Sequence, residues 1–488
     1  MPRRMIGLAI VPVILATLSC GGSGGAPSIL QPSTGSVVIL GGDAPACDII
    51  SAPVTLMSAT LTPQSGGSPV TLISPSAPVT LDFASLADFL TLLSQTKVAT
   101  GTYSLLTVEF VTPQLIVINT GVTPPVPVSI QVPTTAVTLT FTLSPALVVS
   151  TAAPAVVQVD FNLLQSVQVG ASGQMTGVVN PVVQVALPTP AVTTGFGEMR
   201  DLAGIVQSVA SSPVAGSSFS GSFAIPMPGI SGQTLTIQTT GTTIFDNVSG
   251  LSGLAAGRSF VEVDAFLDAN GNVVATEVDA EAEDDASLSQ SAFEGVVTSV
   301  NRNSSPTRLT VYARQAQPAV GGVTVPGLVA FNLTSSTAFG IFPTRLNQGN
   351  IPFGASNLGP GQEVVVHGQL PTGSTVFNAN AIFLRVQSVA GSFVPTPAPV
   401  IGSDGLTGGF TFLPCSTLLL SSNPMTVFTF FNTAFPGVTG SGLSGLPLSS
   451  QLIVQGLVFY EPNAIAVSGM SAVTPGVVEE ASEVHQIP

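Results

Sequence analysis

The sequence predicts an all-β protein: an N-terminal β-sandwich with one short helix, followed by two or three tandem small β-barrel or OB-like modules. Three observations carry that reading. Apolar residues alternate with Thr and Ser over many short segments, the period of half-buried strands. The chain holds 50 glycines and 40 prolines, which punctuate those segments as turns require. In the second half one pattern recurs at steps of about 95 residues, too long for a solenoid unit and suited to a small barrel repeated in tandem.

From the N-terminus, residues 1–19 read as a lipoprotein signal peptide. Arg3 and Arg4 give a positive start, residues 6–18 an apolar stretch too short to span a bilayer, and Ser19 a small residue before Cys20. Cys20 is then the lipidated first residue of the mature chain; the alternative is ordinary cleavage with an incidental thiol. Residues 20–35 form a flexible tether that begins with Gly21-Gly-Ser-Gly-Gly25 after the cysteine.

Residues 36–190 make the sandwich. In 137–143, Val137, Leu139, Phe141 and Leu143 fall on one face and threonines on the other. Segments 54–62, 105–111, 115–118 and 156–163 read the same way. The helix is expected where Leu86, Phe89, Leu90 and Leu93 fall at i, i+3, i+4 and i+7, with Ser85 and Asp88 as its capping pair.

The barrels are placed at 201–285, 293–387 and, divergent, 388–472, with a tail at 473–488. Gly204-Ile-Val-Gln-Ser-Val209 resembles Gly295-Val-Val-Thr-Ser-Val300, and Val386-Gln-Ser-Val389 opens the third copy. Each copy carries a Thr-x-Phe triplet, at Thr243, Thr337 and Thr433. A Gly- and Leu-rich turn follows, then a hydrophobic strand at 260–266, 363–369 or 451–458.

Two family resemblances follow from these motifs. Residues 36–190 resemble the bacterial domain-of-unknown-function family 4382, found at the N-terminus of surface lipoproteins. The resemblance rests on Asp43-Ala-Pro-Ala-Cys47, Val54-Thr-Leu-Met-Ser-Ala59, Thr100-Gly-Thr-Tyr103 and Val159-Asp-Phe-Asn162. The repeats over 201–470 resemble domain-of-unknown-function family 5666. Here the carriers are the Gly-x-Val/Ile-x-x-Val openings, the Thr-x-Phe strands, Leu254-Ala-Ala-Gly257 and Leu358-Gly-Pro-Gly361. Both resemblances imply β architecture and a place in the bacterial envelope. Neither implies a reaction or a catalytic residue.

Composition excludes some functions. Charged residues are 7% of the chain, the net charge is −15, and Lys97 is the only lysine. Without a basic stripe, nucleic acid and anionic lipid heads are repelled rather than bound. Trp is absent, and Tyr103, Tyr312 and Tyr460 are too few for a row of sugar-stacking platforms. Cys47 and Cys415 stand far apart and in different domains, which favours two separate buried thiols over a bond between them. No Cys/His spacing suits zinc.

The densest charge is Glu277, Asp279, Glu281, Glu283, Asp284 and Asp285, shortly after Asp268-Ala-Asn270-Gly271-Asn272. Hard cations such as calcium want several oxygen ligands, which makes Asp264, Asp268, Asn270, Glu277 and Asp279 the weak metal candidates. The plainer reading is a hairpin turn at Asn270-Gly271 followed by a solvated acidic linker. His367 would need a nucleophile and an orienting acid to act in catalysis, and the sequence supplies neither. His485 falls in the tail.

The expected function is thus a non-enzymatic envelope lipoprotein, exported and anchored to the membrane through its lipid, on the periplasmic or surface face. Its role is structural or partner-binding, toward envelope polysaccharide or protein and not nucleic acid, without catalytic residues or cofactor. The alternatives are a calcium- or glycan-binding surface module over 264–285 and, behind it, a hydrolase using paired carboxylates such as Asp264 and Asp268.

Overall fold

The computed structural model describes residues 33–486, except 44–46, 87–88, 112–114, 120–125, 131–135, 170–174, 192–194, 212–217, 228–232, 281–289, 343–345, 416–423, 437, 439–441, 448–449 and 462–475. Cys20, its signal and most of its tether lie outside the described residues.

The N-terminal unit is a two-sheet sandwich. One sheet runs Val183–Ala186, Ala155–Phe161, Thr34–Gly42, Leu90–Ala99 and continues through Glu198–Ile205 into the module that follows. The other runs Val137–Val149, Gly101–Val111, Pro53–Pro63, with Val70–Ile73 and Val79–Asp82 both on the last. Val37 and Ile39 from the first sheet share one core with Val54, Leu61, Leu106 and Val108 from the second. Phe161 packs against Phe83 and Phe110, ring centroids 5.5 and 5.3 Å away. The alternation in 137–143 holds: the threonines are exposed while Val137, Leu139 and Phe141 are half-buried and Leu143 buried.

The expected helix is absent. Phe83–Leu86 is one 3-10 turn, and Leu90–Ala99 is a strand in the middle of the first sheet. Asp88 lies outside the described residues. The apolar spacing arises because a central strand is covered on both faces: Thr91, Leu92, Leu93 and Ser94 are all buried. The one α-helix among the described residues is the single turn Leu163–Ser166, capped by Asn162, whose Oδ1 accepts from the Gln165 N–H at 2.9 Å.

Three five-stranded barrels follow, each with the same pairing. Taking strands in chain order, one pairs with two, two with three, three with five in parallel, five with four, and four with one. Module 1 uses Glu198–Ile205 continued by Ser208–Ala210, then Phe219–Pro226, Thr234–Thr240 continued by Ile244–Asp246, Phe260–Leu267 and Val273–Ala280. Module 2 uses Gln290–Asn301, Thr307–Gln317, Gly327–Phe342, Glu363–Gln369 and the first half of Phe377–Val394. Module 3 uses the second half of that 18-residue strand, then Gly408–Pro414, Met425–Ala434, Gln451–Glu461 and Gly476–Gln486. Closure of this kind removes the exposed edges that an open sheet would leave.

Two sequence expectations are corrected here. The stretch read as a tail at 473–488 contains the fifth strand of module 3, with His485 opposite Ile453. The motif glycine of the third copy is Gly391; Val386 belongs to that module's first strand but lies ahead of the motif. Gly204, Gly295 and Gly391 stand opposite Val261, Val364 and Leu452 in their barrels. Two residues on, Val206, Val297 and Phe393 donate to the carbonyls of Ser259, Gln362 and Ser450 at 2.9, 2.8 and 3.1 Å. The glycine is a steric requirement: a Cβ at Gly295 would lie 2.0 Å from the Tyr312 carbonyl oxygen, and at Gly391 2.3 Å from that of Leu413. Letter similarity among valines and serines had suggested another register.

The Thr-x-Phe triplet has a physical cause. Strand three slips its parallel register against strand five in modules 2 and 3, between Leu333 and Ala338 and between Thr429 and Ala434. The threonine hydroxyl bridges that gap. Thr243, Thr337 and Thr433 accept from the N–H three residues earlier at 2.9, 2.9 and 2.8 Å. They donate to the carbonyls of Ala275, Ala379 and Ala481 at 2.8, 2.8 and 2.7 Å. Thr337→Val keeps the shape and removes both bonds. It is expected to lower stability by roughly 1–3 kcal/mol, with Thr337→Ser losing less, as read from urea midpoints.

Candidate functional site

Side-chain chemistry concentrates at the seams between units. At the seam of modules 1 and 2, Glu262 and Asp264 project outward between the core residues Val261, Val263 and Ala265, and Glu277 and Asp279 do the same beside Val278. The hairpin register sets Glu262 opposite Asp279 and Asp264 opposite Glu277. All four are buried, Glu277 completely. Like charges directly opposed destabilise a sheet, so this face needs counter-charge and hydrogen bonds. Arg385 from module 2 pairs with Glu262, its guanidinium standing over the Phe342 ring at 4.7 Å. Asn247 Nδ2 donates to Asp279 Oδ1 at 2.6 Å.

The burial of Glu277 and Asp279 corrects their reading as part of a solvated linker; residues 281–289 lie outside the described residues. The metal candidates do not converge. Asp268 is consumed by its own turn, Oδ1 accepting from the N–H of Asn270 and of Asn272 at 2.8 and 2.7 Å, with Gly271 at φ +81°. That is the hairpin expected at Asn270-Gly271, and it sits at the turn, away from the seam carboxylates Asp264, Glu277 and Asp279. Among the described residues no three His, Cys, Asp or Glu side chains are grouped to hold a metal ion.

Burial first, then the neighbouring Glu262 charge, push the Asp279 carboxyl up to about 7 against the Asn247 hydrogen bond. Its folded value lies above its unfolded one, so folding favours the protonated form. Its contribution is full below about pH 4 and is lost as the pH rises to about 7. Asp279→Asn is therefore expected to raise stability at pH 8 by on the order of 2 kcal/mol and to leave pH 4 unchanged, as read by thermal unfolding.

His367 faces the same seam from the fourth strand of module 2. It is buried edge-on between the rings of Phe260 and Phe383, each 5.5 Å away. Ala203, Phe260, Ala292 and Val365 complete the apolar contact. Glu262, Glu294, Gln315 and Gln317, with Ala203, Phe260, Ala292 and Val365, line a cavity of about 10 Å³, room for one water molecule and not for a sugar.

A second seam joins the sandwich to module 2. Ile50, Ile116 and Ile118 pack on Val296 and Tyr312. Arg314 crosses it. Both its Nη atoms donate to Glu363 at 2.7 Å, and its Nε donates to the Ile50 carbonyl at 2.8 Å. Asp82 lies 3.9 Å away and accepts from Ser51 Oγ and the Ala52 N–H at 2.5 and 2.7 Å. Burial opposes the charge on Arg314, and the Glu363 carboxylate beside it outweighs that and holds the guanidinium cationic.

The third seam is covalent. Cys47 of the sandwich and Cys415 of module 3 form a disulfide across 368 residues of chain, their Cα atoms 5.3 Å apart. This corrects the expectation of two separate thiols. Separation in sequence carries no information about which barrel returns to the sandwich.

Neither Arg314 nor Arg385 stands out in the sequence as a residue that crosses between units. A usable signal existed: the chain has 10 basic residues, and these two lie inside apolar strand runs where a charge must be paired.

The fold and seams define a class: an all-β protein of one sandwich and three OB-like barrels, locked to one another by buried ion pairs and a disulfide. Residues 203–279, nearly all of module 1, match the family described as Domain of unknown function (DUF5666). No curated protein matches the chain.

Proposed function

We propose that this chain is an exported, lipid-anchored protein of the bacterial envelope that serves as a rigid structural or partner-presenting stack and performs no catalysis. The observation that carries the reading is the Cys47–Cys415 bond. Such bonds persist in oxidising compartments, and residues 1–20 have the features of a lipoprotein signal ending on Cys20. Acyl chains on Cys20 contribute about 0.8 kcal/mol per buried methylene, so several suffice for a firm hold on a membrane. Three repeated barrels and a sandwich, tied at every seam, suit a spacer or a display platform for envelope polysaccharide or protein. The turn-bound Asp268 gives the calcium and hydrolase readings no support.

The sandwich at 36–190 is, on this proposal, of the family 4382 type. Its motif residues have packing roles: Asp43 Oδ1 accepts the Leu163 N–H at 2.9 Å, and the Tyr103 hydroxyl donates to the Ala99 carbonyl at 2.8 Å. The deciding experiment is fractionation of cells expressing the chain and its Cys20→Ser variant. The expected result is wild type in the membrane fraction and the variant released. An unchanged partition of the variant removes the anchor from the account.

A further inference from the structure

The three barrels are internal templates for one another, and one position breaks the template. The alanines whose carbonyls receive the motif threonines, Ala275, Ala379 and Ala481, fix the alignment of strand five. Two residues earlier stand Val273, Phe377 and Glu479, opposite Ile237, Phe331 and Val427 on strand three. Val273 and Phe377 are core residues of their barrels. Glu479 occupies the same core position in module 3 and is 0% exposed. Neither of its carboxyl oxygens has a hydrogen-bond partner.

Nothing in the barrel offsets a charge there. The inner face is Val389 and Phe393 from strand one, Phe410 and Phe412 from strand two, Met425 and Val427 from strand three, with Leu452, Val454 and Val458 from strand four. Val477, Ala481 and Val484 of strand five, with Leu443 and Leu446, belong to the same core, and the half-buried Tyr460 packs against it. Tyr460 alone of these titrates, and burial raises its phenol further above its ordinary value, so it stays neutral. Arg385 is the last Lys or Arg of the chain, and segments 416–423 and 462–475 contain no ionisable side chain. Asp404 sits in an exposed turn, its carboxylate accepting from Thr407. Glu480 points to the opposite face, where its Oε1 accepts the Gly349 N–H of module 2 at 3.0 Å. Glu483 and His485 are the remaining titratable residues of the strand.

We propose that the terminal strand Gly476–Gln486 is a pH-sensitive latch on module 3: it closes the barrel while Glu479 is uncharged and is released when that carboxyl ionises. Burial alone raises the Glu479 carboxyl well above the usual range, so the uncharged form belongs to the closed barrel. In the open form the carboxyl is solvated and titrates near 4.5. The closed form is therefore favoured at acid pH and weakens as the pH rises. Release would expose the edges of Met425–Ala434 and Gln451–Glu461, while Cys415 keeps the rest of the module tied to the sandwich. This inference does not depend on the membrane anchor.

Amide hydrogen exchange on the full chain between pH 5 and 9, expressed as protection factors, tests it. In wild type, protection of Gly476–Gln486 is expected to fall with pH, Glu479 contributing up to tenfold per unit, while the sandwich strands Pro53–Pro63 and Gly101–Val111 serve as the reference. In Glu479→Gln the slope is expected to be shallower by that one proton. Glu479→Val, which restores the side chain that module 1 uses, is expected to do the same and covers the case of a glutamine that disturbs folding. A flat wild-type profile overturns the latch, and so does a variant that keeps the wild-type slope.

Discussion

Replacing Cys47 with Ser is expected to loosen module 3 from the sandwich while each barrel keeps its fold. The bond closes a loop of 368 residues, and in the chain-entropy treatment a loop of that length is worth up to about 6 kcal/mol. That figure is a ceiling. Module 3 shares the strand Phe377–Val394 with module 2, and Gly349 and Gln362 of module 2 hydrogen-bond to Glu480 and the Val458 carbonyl of module 3. Those contacts limit how far the module departs when the sulfurs part. The loss should therefore appear in the earliest transition of a calorimetric scan and as faster exchange in Gly408–Pro414, the strand next to Cys415. Cys415→Ser should match Cys47→Ser, and the double variant should lose no more than either single one. Additive losses would mean two independent thiols, and the clamp would have to be abandoned.

Arg314→Ala is expected to destabilise module 2 together with its seam to the sandwich by about 3–5 kcal/mol, the usual consequence of removing one member of a buried ion pair. The side chain is 5% exposed and its partner Glu363 21%, so most of the charge–charge attraction is unscreened by solvent. Its loss strands Glu363, leaves the Ile50 carbonyl without its donor, and takes the cation from beside Asp82. Arg314→Met with Glu363→Gln removes both charges and keeps much of the packing, so it should recover a good part of the loss. Urea unfolding of the three proteins decides the matter. A single variant within about 0.5 kcal/mol of wild type would show that the pair only breaks even against its desolvation.

The fold class was legible because a strand buried on one face writes its period into the sequence. Residues 137–143 show that alternation, and Thr243, Thr337 and Thr433 marked the repeats before their bonding was known. At Leu90–Ala99 burial on both faces erased the alternation and left a spacing that fits a helix equally well. At Val386 similar letters lie out of register with the glycine that the close backbone approach requires. At 476–486 three glutamates and a serine in a strand of an apolar barrel look like a solvated end.

Of the candidate site, the Asp268 turn was legible because an Asx-capped Asn-Gly hairpin is a local structure. Glu277 and Asp279 read as solvent-facing because a run of acids ordinarily is, and only the folded chain buries the sheet face they stand on.

By itself the sequence determined the β class, the tandem repeat, the turns and the acidic, lysine-poor surface, since each follows from residues within a few positions of one another. The tertiary structure alone decided that Cys47 meets Cys415, that Arg314 and Arg385 cross between units, and that Glu479 is sealed where its sister barrels place valine and phenylalanine. Those facts depend on which faces pack together, and packing joins residues hundreds of positions apart through burial and charge that no local spacing encodes.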